Sequence, residues 1–110
     1  YDAILTGDLG HIGKEILTEM ASTKGYNIIS NYNDCGVLIF DKNTQDTHSG
    51  GSGCACCATV FSGYFFNKLK QKELNKILLI ATGALTNATT SQQGESIPGI
   101  AHAIAIENNI

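Results

Sequence analysis

The chain has 110 residues, 43% of them hydrophobic and 15% charged, the make-up of one folded domain rather than of a disordered or fibrous chain. Its seven cations are all lysines against ten carboxylates, a net charge of −3, and without arginines to fork phosphates or guanines this argues against a nucleic-acid binder. No apolar run reaches the roughly 18 residues of a membrane-spanning helix, no basic-then-apolar leader opens the chain, and a start on Tyr1 rather than Met leads us to expect a piece of a longer protein.

Residues 2–6 form a short apolar run that ends in Gly7-Asp8-Leu9-Gly10, the pattern of a strand entering a helix. Asp8 is the expected N-cap, since its carboxylate can accept the free amides of the first turn. Leu9, Ile12, Ile16, Leu17 and Met20 follow at spacings of three and four, so one stripe of this helix is expected to face a core, and Gly25 is its expected stop. After a polar connection (Asn27 to Asp34), the run Cys35 to Phe40 is apolar on both faces and reads as a strand inside a covered parallel sheet.

Thr47-His48-Ser49-Gly50-Gly51-Ser52-Gly53 then opens a helix expected from about Cys54 to Lys70. Its residues Cys54, Ala55, Cys56, Cys57, Ala58, Val60, Phe61, Tyr64, Phe65 and Phe66 leave almost no polar side. A helix apolar all round must be buried all round, so we expect helix 54–70 to associate with another domain or a second copy of the chain. Lys76 to Thr82 reads as a third strand, buried on both faces. Residues 83–98 read as a long polar loop without helical period. Gly99 to Glu107 alternates Ile and Ala and reads as the last strand.

This order predicts an α/β domain with right-handed crossovers: a mixed four-stranded sheet of order 2-1-3-4, helices on both faces in three layers (α/β/α), and strand 4 antiparallel because no helical crossover precedes it. The crossovers reverse between strands 1 and 3, and ligands of open α/β sheets bind beyond the carboxyl ends at such a point. The candidate walls are Thr6-Gly7-Asp8, Ala81-Thr82-Gly83 and the His48–Gly53 turn.

The candidate ligand-binding residues are therefore Asp8, His48, Gly51, Ser52 and Thr82. Each has a plainer alternative. Asp8 is a cap, His48 a hydrogen-bonded loop residue, and the glycines a means of close packing rather than an anion cradle. Cys35, Cys54, Cys56 and Cys57 lack the paired spacing of a zinc site and read as small buried hydrophobes. No metal and no cofactor is expected. His102 reads as a core histidine and His11 as solvated, while Lys68, Lys70, Lys72 and Lys76 suit the end of a helix.

Several strings are specific: Thr6-Gly7-Asp8-Leu9-Gly10, Asn31-Tyr32-Asn33-Asp34-Cys35-Gly36, Gly50-Gly51-Ser52-Gly53-Cys54, Ala81-Thr82-Gly83-Ala84-Leu85 and Ser91 to His102. Together they resemble the C-terminal portion of the stage V sporulation protein AD family, which is similar to thiolases and ketoacyl synthases. The resemblance implies residues 1–110 as a single C-terminal domain, half of a thiolase-like fold whose five-stranded sheet has order 3-2-4-5-1 with strand 5 antiparallel. It also implies that the apolar helix packs against its counterpart in the missing N-terminal half. His48 loosely matches the thiolase Gly-His-Pro turn. Ala81-Thr82-Gly83 stands where the second catalytic cysteine would be, and Gly7-Asp8 stands where a hydrogen-bond donor would be.

A carboxylate cannot donate that bond when ionised, so the resemblance implies no enzyme. It implies instead a protein that binds dipicolinic acid, with or without Ca²⁺, and takes part in its uptake into the developing spore. Its partners would be the products of the same sporulation operon, and its place the forespore or spore, peripheral to the inner membrane. An acyl-transfer enzyme and a purely structural interaction module are the alternatives.

Overall fold

The computed structural model describes residues 1–84 and 87–108. The elements run β1 (Ala3–Thr6), α1 (Gly10–Thr23), β2 (Tyr32–Asp34), α2 (Cys35–Leu38), α3 (Cys56–Val60), a π-helical segment (Phe61–Phe65), α4 (Phe66–Lys70), β3 (Lys76–Ala84), α5 (Ala88–Gln92) and β4 (Gly99–Glu107). Leu85, part of one of the family-like strings, and Thr86 lie outside the described residues.

The sheet has the expected order, β2-β1-β3-β4. β1 runs parallel to both β2 and β3, and β4 runs antiparallel to β3, from Lys76 opposite Glu107 to Ala84 opposite Gly99. The residues between β3 and β4 are not all loop, because α5 forms one short turn there. Five residues cannot make a crossover to a parallel neighbour, and the antiparallel pairing stands.

The core lies on one face of this sheet. Ala3, Leu5, Ile77, Leu79 and Ile106 meet Cys56, Val60, Phe65 and Leu69 of the long helix. Leu5 and Ile77 are fully buried, each adding about 1.5–3 kcal/mol of hydrophobic stabilisation. Between Val60 and Phe65 the spacing is five, which an α-helix would place on different sides. The π-helical segment, with its wider i→i+5 turn, returns Phe65 to the face of Val60. The opposite side keeps Tyr64 and Phe66 half exposed, so these large apolar residues do not all fit against one sheet.

Two expected elements move. The second strand is Tyr32–Asp34, inside the expected polar connection, and Cys35–Leu38 is a helical turn. The cause is Asp34, whose carboxylate accepts the amide of Val37 and starts a helix where the apolar run would have extended. The long helix also begins later than expected, at Cys56, which leaves Cys54 exposed before it.

The stripe of α1 does not face a core. Leu9, Ile12, Ile16 and Met20 are exposed and Leu17 is half-buried. What fixes α1 is polar and sits at its N-terminus, where the Leu9 and Gly10 amides donate to Asp34 and the His11 amide to the Ser49 carbonyl.

Candidate functional site

β1 and β3 end side by side, and the loop before α3 crosses in front of them. A single carboxylate joins the three. Asp8 Oδ1 accepts from the Thr82 hydroxyl at 2.8 Å, Oδ2 accepts from the Ser52 hydroxyl and the Gly53 amide at 3.0 Å each, and the Asp8 amide donates to Thr82 Oγ1 at 3.1 Å. Partial burial pushes the Asp8 carboxyl up. The Gly53 amide and the Thr82 and Ser52 hydroxyls outweigh it and hold the group below its ordinary value of 3.8. Asp8 is thus ionised and fixed in place.

This knot closes one end of a crevice of about 860 Å³. The wall also includes Gly7 and Leu9 on either side of Asp8, Cys54, Cys57 and two strand ends, Ala81–Ala84 and Gly99–Ala101. In those strand ends Thr82 faces Ala101, Gly83 faces Ile100 and Ala84 faces Gly99. The side chains there are small except for Ile100, whose Cγ2 would lie 3.7 Å from a Cβ at Gly83, so the paired backbones form much of this wall.

Asp8 is not the cap of α1. That task falls to Asp34, fully buried and 25 residues away. Asp34 accepts the Leu9 and Gly10 amides at 2.9 Å each, the Val37 amide at 3.2 Å and the Thr6 hydroxyl. Since the single Thr6 proton goes to Asp34, the Tyr32 phenol donates to Thr6 Oγ1, at 2.7 Å. Burial pushes that phenol up, so it stays protonated. Four donors satisfy a buried charge that would otherwise cost several kcal/mol. Sequence reasoning passed Asp34 over as part of a polar connection. Its signal was Asn33-Asp34 followed directly by an apolar run with a glycine, an N-cap pattern.

The glycines serve close packing. A Cβ on Gly36 would lie 2.4 Å from the Gly51 carbonyl oxygen, and one on Gly50, at φ +115°, would lie 2.5 Å from that of Gly36. The Gly51 amide donates to the Gly36 carbonyl at 2.7 Å. The two loops thus touch backbone to backbone, carrying Ser52 and Gly53 to Asp8.

Of the five candidates, Asp8, Ser52 and Thr82 converge and two do not. Gly51 is buried against Ile39 and Phe40 and is not part of the crevice lining. His48 belongs to a separate hollow formed by residues 42–48, its side chain 90% exposed, with only Asp46 at 4.0 Å. His102 is exposed on β4 and is no core histidine, and His11 lines a groove along α1. Cys35 and Cys56 are buried as expected, whereas Cys57 is half-buried at the crevice wall. Desolvation pushes the Cys35 thiol up to about 12, and it also raises those of Cys56 and Cys57, with Asp8 and Asp34 adding to the rise.

A family model described as Stage V sporulation protein AD matches residues 1–107. The stage V sporulation protein AD of Bacillus subtilis (strain 168) is 43% identical over 107 residues, which are 97% of this chain and 31% of the relative. The chain therefore spans about a third of the length of the curated relative it matches.

Proposed function

The chain belongs to the stage V sporulation protein AD family, and from that premise we propose that it contributes a dipicolinic-acid site to a non-catalytic sporulation protein that takes part in the uptake of that acid into the developing spore. The observation that carries this reading is the crevice beyond β1 and β3, walled largely by peptide backbone, with one ionised carboxylate, Asp8, on its lining. Dipicolinate is a small planar acid, and a crevice of about 860 Å³ has room for it. As a dianion it is repelled by Asp8 unless a cation lies between them, and Ca²⁺ is the cation whose preferred ligands are such oxygens. Among the described residues no cluster of His, Cys, Asp and Glu side chains could hold a metal unaided, so on this reading the cation arrives with the acid.

A non-catalytic role fits the same groups. Thr82 stands in place of a second cysteine and its hydroxyl is committed to Asp8. Desolvation, with the Asp8 and Asp34 carboxylates adding to it, raises the Cys57 thiol, which makes it a poorer nucleophile. On this reading the protein works in the forespore, peripherally at the inner spore membrane, with other products of its operon.

The test is calorimetric titration of dipicolinate, with and without Ca²⁺, into this chain and into the longer protein. Heat is expected with Ca²⁺ present, and a loss of at least tenfold in affinity in Asp8→Ala. Equal binding by Asp8→Ala, or turnover of a thioester by the longer protein, would overturn the reading.

A further inference from the structure

The turn from β1 into α1 is tied down on both sides of Asp8 by one buried side chain. Asp34 Oδ1 accepts the Thr6 hydroxyl and the Leu9 amide, and Oδ2 accepts the Gly10 and Val37 amides. Gly7 and Asp8 span the gap between these points. Thr6 is itself braced, because the Tyr32 phenol donates to its Oγ1 at 2.7 Å. Asp34, Thr6 and Tyr32 are all buried, and every partner named lies within this chain. On the other side of the span, Thr6 pairs with Ile80 of β3. Two residues further along each strand, the Asp8 amide donates to Thr82 Oγ1. A Cβ on Gly7 would lie 2.9 Å from that oxygen, so the span has no room to shift towards β3.

We propose that Asp34, acting through Thr6, is the positioning residue of the crevice: it fixes the two-residue span that carries Asp8 and so holds the carboxylate where Thr82, Ser52 and Gly53 meet it. Asp34 itself does not line the crevice. A span of two residues anchored at both ends to one buried group has few backbone conformations left. The Asp8 carboxylate is therefore ordered before any ligand arrives, and its ordering does not weaken binding. The four donors fill both oxygens of Asp34, so removing one leaves a buried acceptor short of a partner. Of the four, only Thr6 donates from a side chain, which makes it the link that a substitution can cut. The placing of Asp8 stands on these hydrogen bonds alone, and only its consequence for affinity rests on the dipicolinate reading.

Amide hydrogen exchange of the whole chain tests it in Thr6→Val, which removes the hydroxyl at almost unchanged shape. The Asp8 and Gly53 amides report on the knot, since they donate to Thr82 and to Asp8. Both are expected to exchange roughly tenfold faster, the effect of losing one hydrogen bond to a charged group, while amides of the β3–β4 ladder stay within about twofold. Thr6→Ser keeps the hydroxyl and is expected to restore protection. Affinity for dipicolinate with Ca²⁺, read by calorimetry, is expected to fall roughly tenfold in Thr6→Val and to recover in Thr6→Ser. A Thr6→Val chain that melts earlier but keeps both amides protected overturns the proposal, because the brace would then be structural only. So does Thr6→Ser behaving as Thr6→Val, since the hydroxyl would not be the link. If Thr6→Val does not fold, Tyr32→Phe decides, because it loosens Thr6 and leaves its bond to Asp34. Faster exchange at the same two amides then supports the proposal, and unchanged exchange overturns it. The expected exchange pattern without any dipicolinate binding upholds the positioning role and overturns the dipicolinate reading instead.

Discussion

β2 and β4 are the two edges of one sheet and are built on opposite principles. β2 has three residues, ends in a buried carboxylate and is held by side chains that point polar atoms inward. β4 has nine residues of alternating Ile and Ala, is exposed on both faces and is held almost entirely by its ladder to β3. The difference shows where hydrogen bonding, rather than burial, sets a local structure. At the β2 end, Asp34 ties the end of β1, the start of α1 and the turn of α2 together through four donors, and the result is a short edge held by buried polar contacts. Among the described residues, β4 buries no polar side chain and no further strand pairs with its outer edge.

The strongest way to break the contrast is Asp34→Ala. It strands the Leu9, Gly10 and Val37 amides, and a cost of at least about 3–5 kcal/mol is expected, enough to unfold much of a domain stable by only about 5–15. Urea denaturation checks it, and a loss below about 1 kcal/mol would mean that burial alone holds β2. Gly36→Ala comes next. A methyl group 2.4 Å from the Gly51 carbonyl must push the two loops apart, at about 1–3 kcal/mol by thermal denaturation.

How much of this was legible in the sequence follows the same division. β4 was read to its exact ends because Ile/Ala alternation is a local pattern that reports one strand. β1, β3 and the sheet order followed from apolar runs and the crossover rule. β2 was not legible as a strand, because its residues are polar for a reason found elsewhere in the chain, in Thr6, Leu9 and Gly10. The α1 stripe was read correctly as amphipathic, but periodicity names no partner, and Ile12 and Ile16 lie open. At the site, the switch point predicted where Asp8 and Thr82 would meet. It could not predict that the chain turns at His48, at φ +50°, and carries that side chain away.

Two pH effects sharpen the picture at smaller magnitude. The Asp8 carboxyl lies below 3.8 in the folded chain, so its stabilisation is complete above that value and is lost as pH falls through the lowered folded one. Asp8→Asn is expected to flatten the acid limb of a stability–pH curve, leaving the part due to Asp2, whose carboxyl the Asn75 and Lys76 amides also hold low. Cys35 acts at the other end. With its thiol raised from 9.0 to about 12, the unfolded chain releases a proton that the folded chain keeps, so stability falls as pH rises from 9 towards 12. Cys35→Ala is expected to weaken that alkaline limb. The smallest effect is His48→Ala, expected within about 0.5 kcal/mol of the wild type and without effect on dipicolinate titrations.

Backbone amide resonances followed while Ca²⁺ and dipicolinate are added give the most direct test of the site. Shifts are expected at Gly7, Asp8, Gly53, Cys57, Thr82, Gly83 and Ala101, around the Asp8 knot and the backbone wall of the crevice, with residues 42–48 unmoved. Shifts confined to 42–48, or a spectrum that saturating ligand leaves unchanged, would contradict the account.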